Sequence, residues 1–136
     1  MPWLLDTNVL SELRKGVKCD PNVHQWAVES SSDQHWISVL SIGEIRKGIE
    51  LLRRKSPDQC PAFERWIHSI LTQYYKEILP ITDTIADRWG SLMAVRPLLV
   101  IDGLLAATAL EHNLTLVTRN TADFAQTGVQ LHNPFD

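Results

Sequence analysis

The chain has 136 residues, of which 44% are hydrophobic and 21% charged, a composition typical of a folded protein rather than a disordered one. Its net charge of −3 argues against a generally basic surface, so any contact with nucleic acid must come from a local patch. Because no apolar run is long enough to span a membrane and no signal peptide is recognisable, we expect a single cytoplasmic domain over residues 1–136.

Strand-like and helix-like segments alternate along the chain. In chain order, the predicted elements are strand 3–5, helices 7–16 and 20–31, strand 35–40, helices 41–55 and 62–77, strand 78–81, helices 82–96 and 102–113, strand 114–118, a turn or short helix at 119–128, and strand 129–133. Strands that alternate with helices need crossover connections, which give a parallel sheet covered on both faces. The sequence therefore predicts an α/β fold, a three-layer α/β/α sandwich with a mostly parallel central sheet.

Four acidic residues stand at the boundaries between these elements. Asp6 ends the first strand, and Glu44 follows the second strand in the first turn of a helix. Asp102 begins the helix before strand 114–118, and Asp123 follows that strand. In a parallel sheet these boundaries share one edge, where the sites of such folds form. We therefore expect the four carboxylates to converge.

Each of these acids also has an ordinary structural explanation as a helix cap. The SIGE segment that contains Glu44 is a capping-box pattern, and the NTAD segment that contains Asp123 is a looser form of it. Asp6 and Asp102 are suitable N-caps for the helices that follow them. Capping does not, however, require all four acids to lie on one edge of the sheet, so the joint pattern favours a shared site.

A cluster of carboxylates is unfavourable unless a cation compensates it, because neighbouring like charges resist ionising together. Oxygen-only ligands suit Mg²⁺, with Mn²⁺ as a substitute. The five histidines are scattered and form no ligand pair, and neither a Gly-x-Ser-x-Gly elbow nor a glycine-rich phosphate loop occurs. The sequence therefore favours a metal site built from acids.

Basic residues on the helix that carries Glu44 form a candidate RNA-binding patch. They are Arg46, Lys47, Arg53 and Arg54, and Arg119 lies beside the proposed acidic site. Residues seven apart share one side of a helix, so the patch could follow a phosphate backbone. A solvated helix face explains the same pattern.

The order of these motifs resembles the PIN-domain ribonucleases, specifically the VapC-type toxins of type II toxin–antitoxin systems. The resemblance covers nearly the whole chain through LLDTNVLSEL, ISVLSIGEIRKGI, DGLLAATALEHNLTLVTRNTADF and GVQLHNPF. It places the first three acids of the family on Asp6, Glu44 and Asp102. The fourth acidic position falls on Asp123 in the DF pair, with Asn120 as a polar helper at the position that some relatives give to an aspartate.

The resemblance implies a Mg²⁺-dependent endoribonuclease that hydrolyses RNA phosphodiester bonds with a metal-activated water. Asp6 and Asp102 would hold the metal, and Glu44 and Asp123 would bind metal-bound waters or a second ion. The residues expected to orient carboxylates and waters by hydrogen bonding are Thr7, Asn8, Thr118 and Asn120. The implied partners are a VapB-like antitoxin, an RNA substrate and a second copy of the chain.

Two other functions remain open from the sequence. A phosphatase of the haloacid-dehalogenase type would use Asp6 as a nucleophile, but that class needs a second acid where this chain has Asn8. A non-catalytic α/β binding module would use the acids only as caps. The sequence does not identify the RNA, the cleavage sequence or the number of metal ions.

Overall fold

The central sheet contains five short strands. The computed structural model describes all residues, 1–136, and its strands are β1 (Trp3–Leu5), β2 (His35–Ser38), β3 (Ile78–Leu79), β4 (Thr115–Val117) and β5 (Leu131–His132). Their order is β3-β2-β1-β4-β5, and every neighbouring pair is parallel. The predicted α/β fold is confirmed, and the sheet is parallel throughout.

Six helices connect and cover these strands. They are α1 (Thr7–Leu13), α2 (Pro21–Glu29), α3 (Val39–Lys55), α4 (Cys60–Gln73), α5 (Asp83–Val95) and α6 (Val100–His112). Short 3₁₀ turns occur at Gly16–Lys18, Pro57–Gln59 and Thr121–Phe124. Three helices begin two residues earlier than predicted. The helix α3 starts directly after Ser38, whose hydroxyl caps it, α4 starts at Cys60, and α6 starts two residues before Asp102.

The two faces of the sheet bury separate sets of apolar side chains. Leu4 and Leu116 point to the face covered by α6, where they contact Leu105 and Ala109. The next residues along the same strands alternate to the other face, where α1, α2 and α4 complete the core. The result is the predicted three-layer sandwich, with helices on both sides of a sheet that is buried on both faces.

Gly103 allows α6 to pack closely against α5. A Cβ atom on Gly103 would lie 2.8 Å from Met93 Sδ and 2.9 Å from Trp89 Nε1, so a larger residue would push the two helices apart. Asp102 is the residue immediately before this contact. The DG pair therefore fixes the position of the Asp102 backbone at the edge of the sheet.

No single helix is both long and apolar enough to cross a membrane. The pair Asp83–Val95 and Val100–His112 reaches that length and composition only when taken together, and it is bent by 120° at the break.

Candidate active site

Asp6 and Thr118 follow neighbouring strands at the same edge of the sheet. Leu5 on β1 is paired with Val117 on β4, and the Asp6 N–H extends the ladder by donating to the Val117 carbonyl at 2.9 Å. Parallel pairing therefore places the next residues side by side, and Thr118 Oγ1 donates to Asp6 Oδ2 at 2.8 Å. The strand register alone positions this part of the site.

Asp6 caps a helix and belongs to the acidic cluster at once. Its Oδ1 accepts from the Thr7 N–H at 2.7 Å, so the capping alternative is correct for this residue. The side chain is nevertheless buried, and burial raises the pKa of Asp6 while the hydrogen bond from Thr118 opposes that rise. The nearby charge of Asp123 raises the pKa further. Capping therefore does not exclude a second role.

Glu44 is not a capping residue. Because α3 begins at Val39, Glu44 lies in the second turn of the helix rather than the first, and the cap is Ser38. The Glu44 Oε1 accepts a hydrogen bond of 2.6 Å from Thr7 Oγ1, which also lies 2.9 Å from Ser41 Oγ. This contact joins the residue after Asp6 to the helix that follows β2, across 37 positions of sequence.

Asp102 and Asp123 face a common cavity of about 260 Å³ at the same edge. Asp102 is the third residue of α6, whose N-cap is Leu99, so the predicted capping alternative is wrong for Asp102. Partial burial raises the pKa of Asp102, and the charges of Asp6, Asp123 and Glu44 raise it further. Asp102 therefore lies within electrostatic range of the other three predicted acids, and Asp6 within range of Asp123.

The donor set fits a hard divalent cation. None of the four carboxylates is paired with a lysine, an arginine or the N-terminus of this chain. Oxygen ligands of this kind suit Mg²⁺ or Mn²⁺. As the side chains are arranged, no three acidic, histidine or cysteine groups are spaced to hold one ion.

The predicted supporting residues form a hydrogen-bond network around Asp6. The Asn8 Nδ2 group lies 3.4 Å from both Asp6 Oδ2 and Thr118 Oγ1, and Asn8 Oδ1 accepts from the Arg119 N–H. The Asn120 N–H donates to Thr118 Oγ1 at 3.1 Å, while the Asn120 side chain is exposed. Asn120 thus contributes through its backbone.

The predicted basic patch divides into two parts. Arg46 and Arg53 pair with Glu50 and Glu64, so their charges are largely neutralised and they do not form the expected continuous track. Lys47 instead lines a cavity of about 520 Å³ together with Glu44 and Ile101.

The remaining predicted basic residues lie apart from that network. Arg54 is exposed and enters none of these ion pairs. The Arg119 guanidinium lies over the Phe135 ring at 4.3 Å, on the same loop as Asn120.

Two residues of the site were not predicted from the sequence. Ser41 is fully buried and touches Thr7, although the sequence suggested that it caps a helix. Arg96, expected only as the end of a helix, lines the cavity of Asp102 and Asp123. Its position just before Pro97 was a visible signal, because a helix must stop there and the chain must turn toward α6.

A comparison with known protein families shows to which family the chain belongs. The family model described as the PIN domain matches residues 3–130 of the chain. The chain belongs to the PIN domain family. The resemblance inferred from the sequence motifs is therefore confirmed, and the sheet edge described above is the candidate active site of a PIN domain.

Two curated relatives match this PIN domain along nearly their whole length. Toxin FitB of Neisseria gonorrhoeae is 31% identical, with 97% of each chain covered. The VapC ribonuclease Y4jK of Sinorhizobium fredii is 28% identical, with 98% of this chain and 97% of the relative covered. Among solved structures, a toxin–antitoxin complex from Klebsiella pneumoniae superposes with a TM-score of 0.66 at 28% identity, covering 98% of both chains.

Proposed function

We propose that this PIN domain is the ribonuclease toxin of a toxin–antitoxin pair and that it hydrolyses RNA phosphodiester bonds at the carboxylate cluster. One observation supports the proposal: Asp102 lies within electrostatic range of three other carboxylates from distant parts of the chain, and none of the four forms an ion pair. The similarity to a toxin and to a ribonuclease supports the same activity.

A divalent cation, Mg²⁺ or Mn²⁺, would be held by Asp6 and Asp102, with Glu44 and Asp123 binding directly or through water. Such an ion supplies positive charge to the phosphate and lowers the pKa of water. Asp6 keeps its orientation because Thr118 and the Thr7 N–H hold its two oxygens separately. Glu44 is kept near the cluster by Thr7.

Thr118 and Asn8 position the first carboxylate rather than touch the substrate. Thr118 donates to Asp6 and accepts from the Asn120 N–H, so its hydroxyl has a fixed direction. Asn8 bridges Asp6 and the loop after β4. Networks of this kind restrict carboxylates to one geometry.

The proposed partners are an antitoxin, an RNA and a second copy of the chain. The superposition on a toxin–antitoxin complex supports the first of these. We also propose that residues 1–136 act as one domain in the cytoplasm, where RNA is available. A binding module that uses its acids only as caps is the alternative, and the structure speaks against it at Glu44 and Asp102, neither of which caps a helix.

The test is to induce the chain in cells and to map newly formed 5′ ends in total RNA, with the Asp6→Asn variant as the control. We expect new ends at defined sites with the parent chain and none with the variant. If the two chains give the same ends, or if the parent gives none, the proposed nuclease is wrong.

A further inference from the structure

Arg96 places a positive charge beside the carboxylate cluster. It directly follows α5, which ends at Val95, and it precedes Pro97. The same cavity of about 260 Å³ is lined by Arg96, Asp102 and Asp123. No other residue that lines this cavity is basic. A guanidinium and two carboxylates therefore share one small opening at the edge of the sheet.

The guanidinium does not neutralise its acidic neighbours. No ion pair forms between Arg96 and Asp102 or Asp123 within 4.0 Å. Instead, Nη1 donates to Gln126 Oε1 at 3.2 Å, and Nε is buried without any hydrogen-bond partner. The Nη2 group also makes no hydrogen bond within the chain, and unlike Nε it is not buried. The outer end of the guanidinium is thus available to an acceptor that comes from outside the chain.

The segment that holds Arg96 is itself unusual. Gln126 adopts φ of +66°, one of two non-glycine residues in the chain with a positive φ. This conformation is uncommon for residues other than glycine and raises the energy of the loop. Because the Gln126 side chain contacts Arg96, the loop after the 3₁₀ turn directs the guanidinium.

We propose that Arg96 binds a phosphate of the RNA strand that enters the carboxylate cluster. This inference rests on the proposed ribonuclease function. A carboxylate cluster repels the RNA backbone, so a substrate needs cationic contacts close to the acids. Arginine presents its two Nη groups in a planar fork that matches two phosphate oxygens. Arg96 supplies such a fork on the wall of the cavity that contains Asp102 and Asp123.

A purely structural role is the competing explanation. In that case Arg96 would only tie the end of α5 to the loop of Gln126, and the positive charge itself would be unimportant. Removing the Gln126 side chain would then have the same consequences as removing the guanidinium. Phosphate binding predicts different consequences, because the salt dependence of RNA binding reports the number of phosphate contacts.

The experiment compares four variants of the full chain. Arg96→Gln removes the charge, Arg96→Lys keeps it without the planar fork, and Gln126→Gly removes the hydrogen bond while permitting the positive φ. The matched control is Arg88→Gln on the same helix, since Arg88 is exposed and pairs with Glu111 away from the cavity. Circular dichroism and thermal unfolding establish that each variant is folded.

The first readout is cleavage of a single-stranded RNA oligonucleotide in Mg²⁺. We expect Arg96→Gln to lower kcat/KM by about 10- to 100-fold, a loss typical of a charge-assisted hydrogen bond. Arg96→Lys should recover part of that loss. Arg88→Gln should remain within about twofold of the parent, as is usual for an exposed ion pair.

The second readout is binding of the same RNA by fluorescence anisotropy in EDTA at several salt concentrations. Arg96→Gln should reduce the slope of log K against log salt by about one, whereas Gln126→Gly and Arg88→Gln should keep the parent slope. An unchanged slope in Arg96→Gln, an equal slope change in Gln126→Gly, or no RNA binding by the parent overturns the inference. If the parent binds RNA with the predicted slopes but never cleaves it, the Arg96 contact stands and the nuclease proposal fails.

Discussion

Two groups of charged side chains in this chain have opposite electrostatic properties. Arg46 and Arg53 on α3 form ion pairs with Glu50 on the same helix and with Glu64 on α4. Hydrogen bonds from Arg46 hold the pKa of Glu64 below its usual value. At the sheet edge, burial and the neighbouring acids raise the pKa of Asp102. The pKa values of these acids thus shift in opposite directions, because Glu64 forms ion pairs with arginines, whereas Asp102 is partly buried, lies near other acids and forms no ion pair.

The difference shows which charges remain available to external partners. The α3–α4 network is complete within the chain and stabilises the contact between two exposed helix surfaces, where ion pairs contribute little. The four carboxylates at the sheet edge form no ion pair with the chain, so their charge remains available to an external cation. A run of charged residues in the sequence therefore does not by itself indicate a binding site. Charged side chains that form no ion pair in the fold are the better indication.

The largest expected effect is the loss of cleavage when the cluster loses one charge. We expect Asp102→Asn to lower kcat/KM for RNA by about 100-fold or more, a loss typical of removing one group that stabilises transition-state charge. The matched control is Asp87→Asn, an exposed aspartate of α5. Equal loss in both variants would show that the site is elsewhere.

A smaller loss is expected when Asp6 loses its orienting hydroxyl. Thr118→Val keeps the shape of the side chain but removes the donor to Asp6 Oδ2. We expect metal affinity or kcat/KM to fall by about 10-fold, at the lower end of the range for such supporting residues. Thr72→Val is the control, because its hydroxyl bonds only the carbonyl of its own helix. Activity equal to that of the parent in Thr118→Val would show that the hydrogen-bond network around Asp6 is not needed for cleavage.

Substitutions in the two parts of the basic patch should affect RNA binding to different extents. Lys47 lines the cavity of Glu44, so Lys47→Gln should weaken RNA binding by a factor on the order of three and flatten its salt dependence. Arg46→Gln should leave binding within about twofold, since Arg46 is already paired. A larger loss of RNA binding in Arg46→Gln than in Lys47→Gln would instead support the continuous phosphate track that the sequence suggested.

The smallest effect concerns stability and pH in the absence of metal. The pKa of Asp102 is raised above its ordinary value of 3.8, so the folded state binds this proton more tightly than the unfolded state. Protonated Asp102 therefore contributes to the free energy of unfolding below pH 3.8. That contribution is lost as the pH rises from 3.8 through the raised pKa of the folded state. In EDTA, urea unfolding should therefore show the parent losing stability relative to Asp102→Asn over that window. A constant difference would contradict the raised pKa.

Much of the fold could be predicted from the sequence, because the hydrophobic pattern of each segment matches the strand or helix that it forms in the parallel sheet fold. The alternation of strands and helices predicted the three layers, and the strand ends predicted that Asp6 lies at the sheet edge where sites form. Helix starts were less accurate, because Ser38 and Leu99 initiate α3 and α6 ahead of the acids that resembled caps. The cap of α3 is a local hydrogen bond from the Leu40 N–H to the Ser38 hydroxyl, inside the segment that was predicted as strand.

The partners of the long side chains could not be read from the sequence. The spacing of Arg46 and Arg53 suggested a phosphate track, but Glu64 on the following helix reaches both arginines. Likewise, nothing local to Arg96 indicates that it meets the cavity of Asp102 and Asp123. Such contacts depend on how helices pack, which sequence periodicity does not specify.

Direct titration of Mn²⁺ into the purified chain, followed by electron paramagnetic resonance, tests the central claim that the uncompensated carboxylates bind a divalent cation. We predict saturable Mn²⁺ binding by the parent and by Asp87→Asn, and loss of that binding in the Asp6→Asn, Asp102→Asn double variant. Absence of binding by the parent, or equal binding by the double variant, would contradict the account.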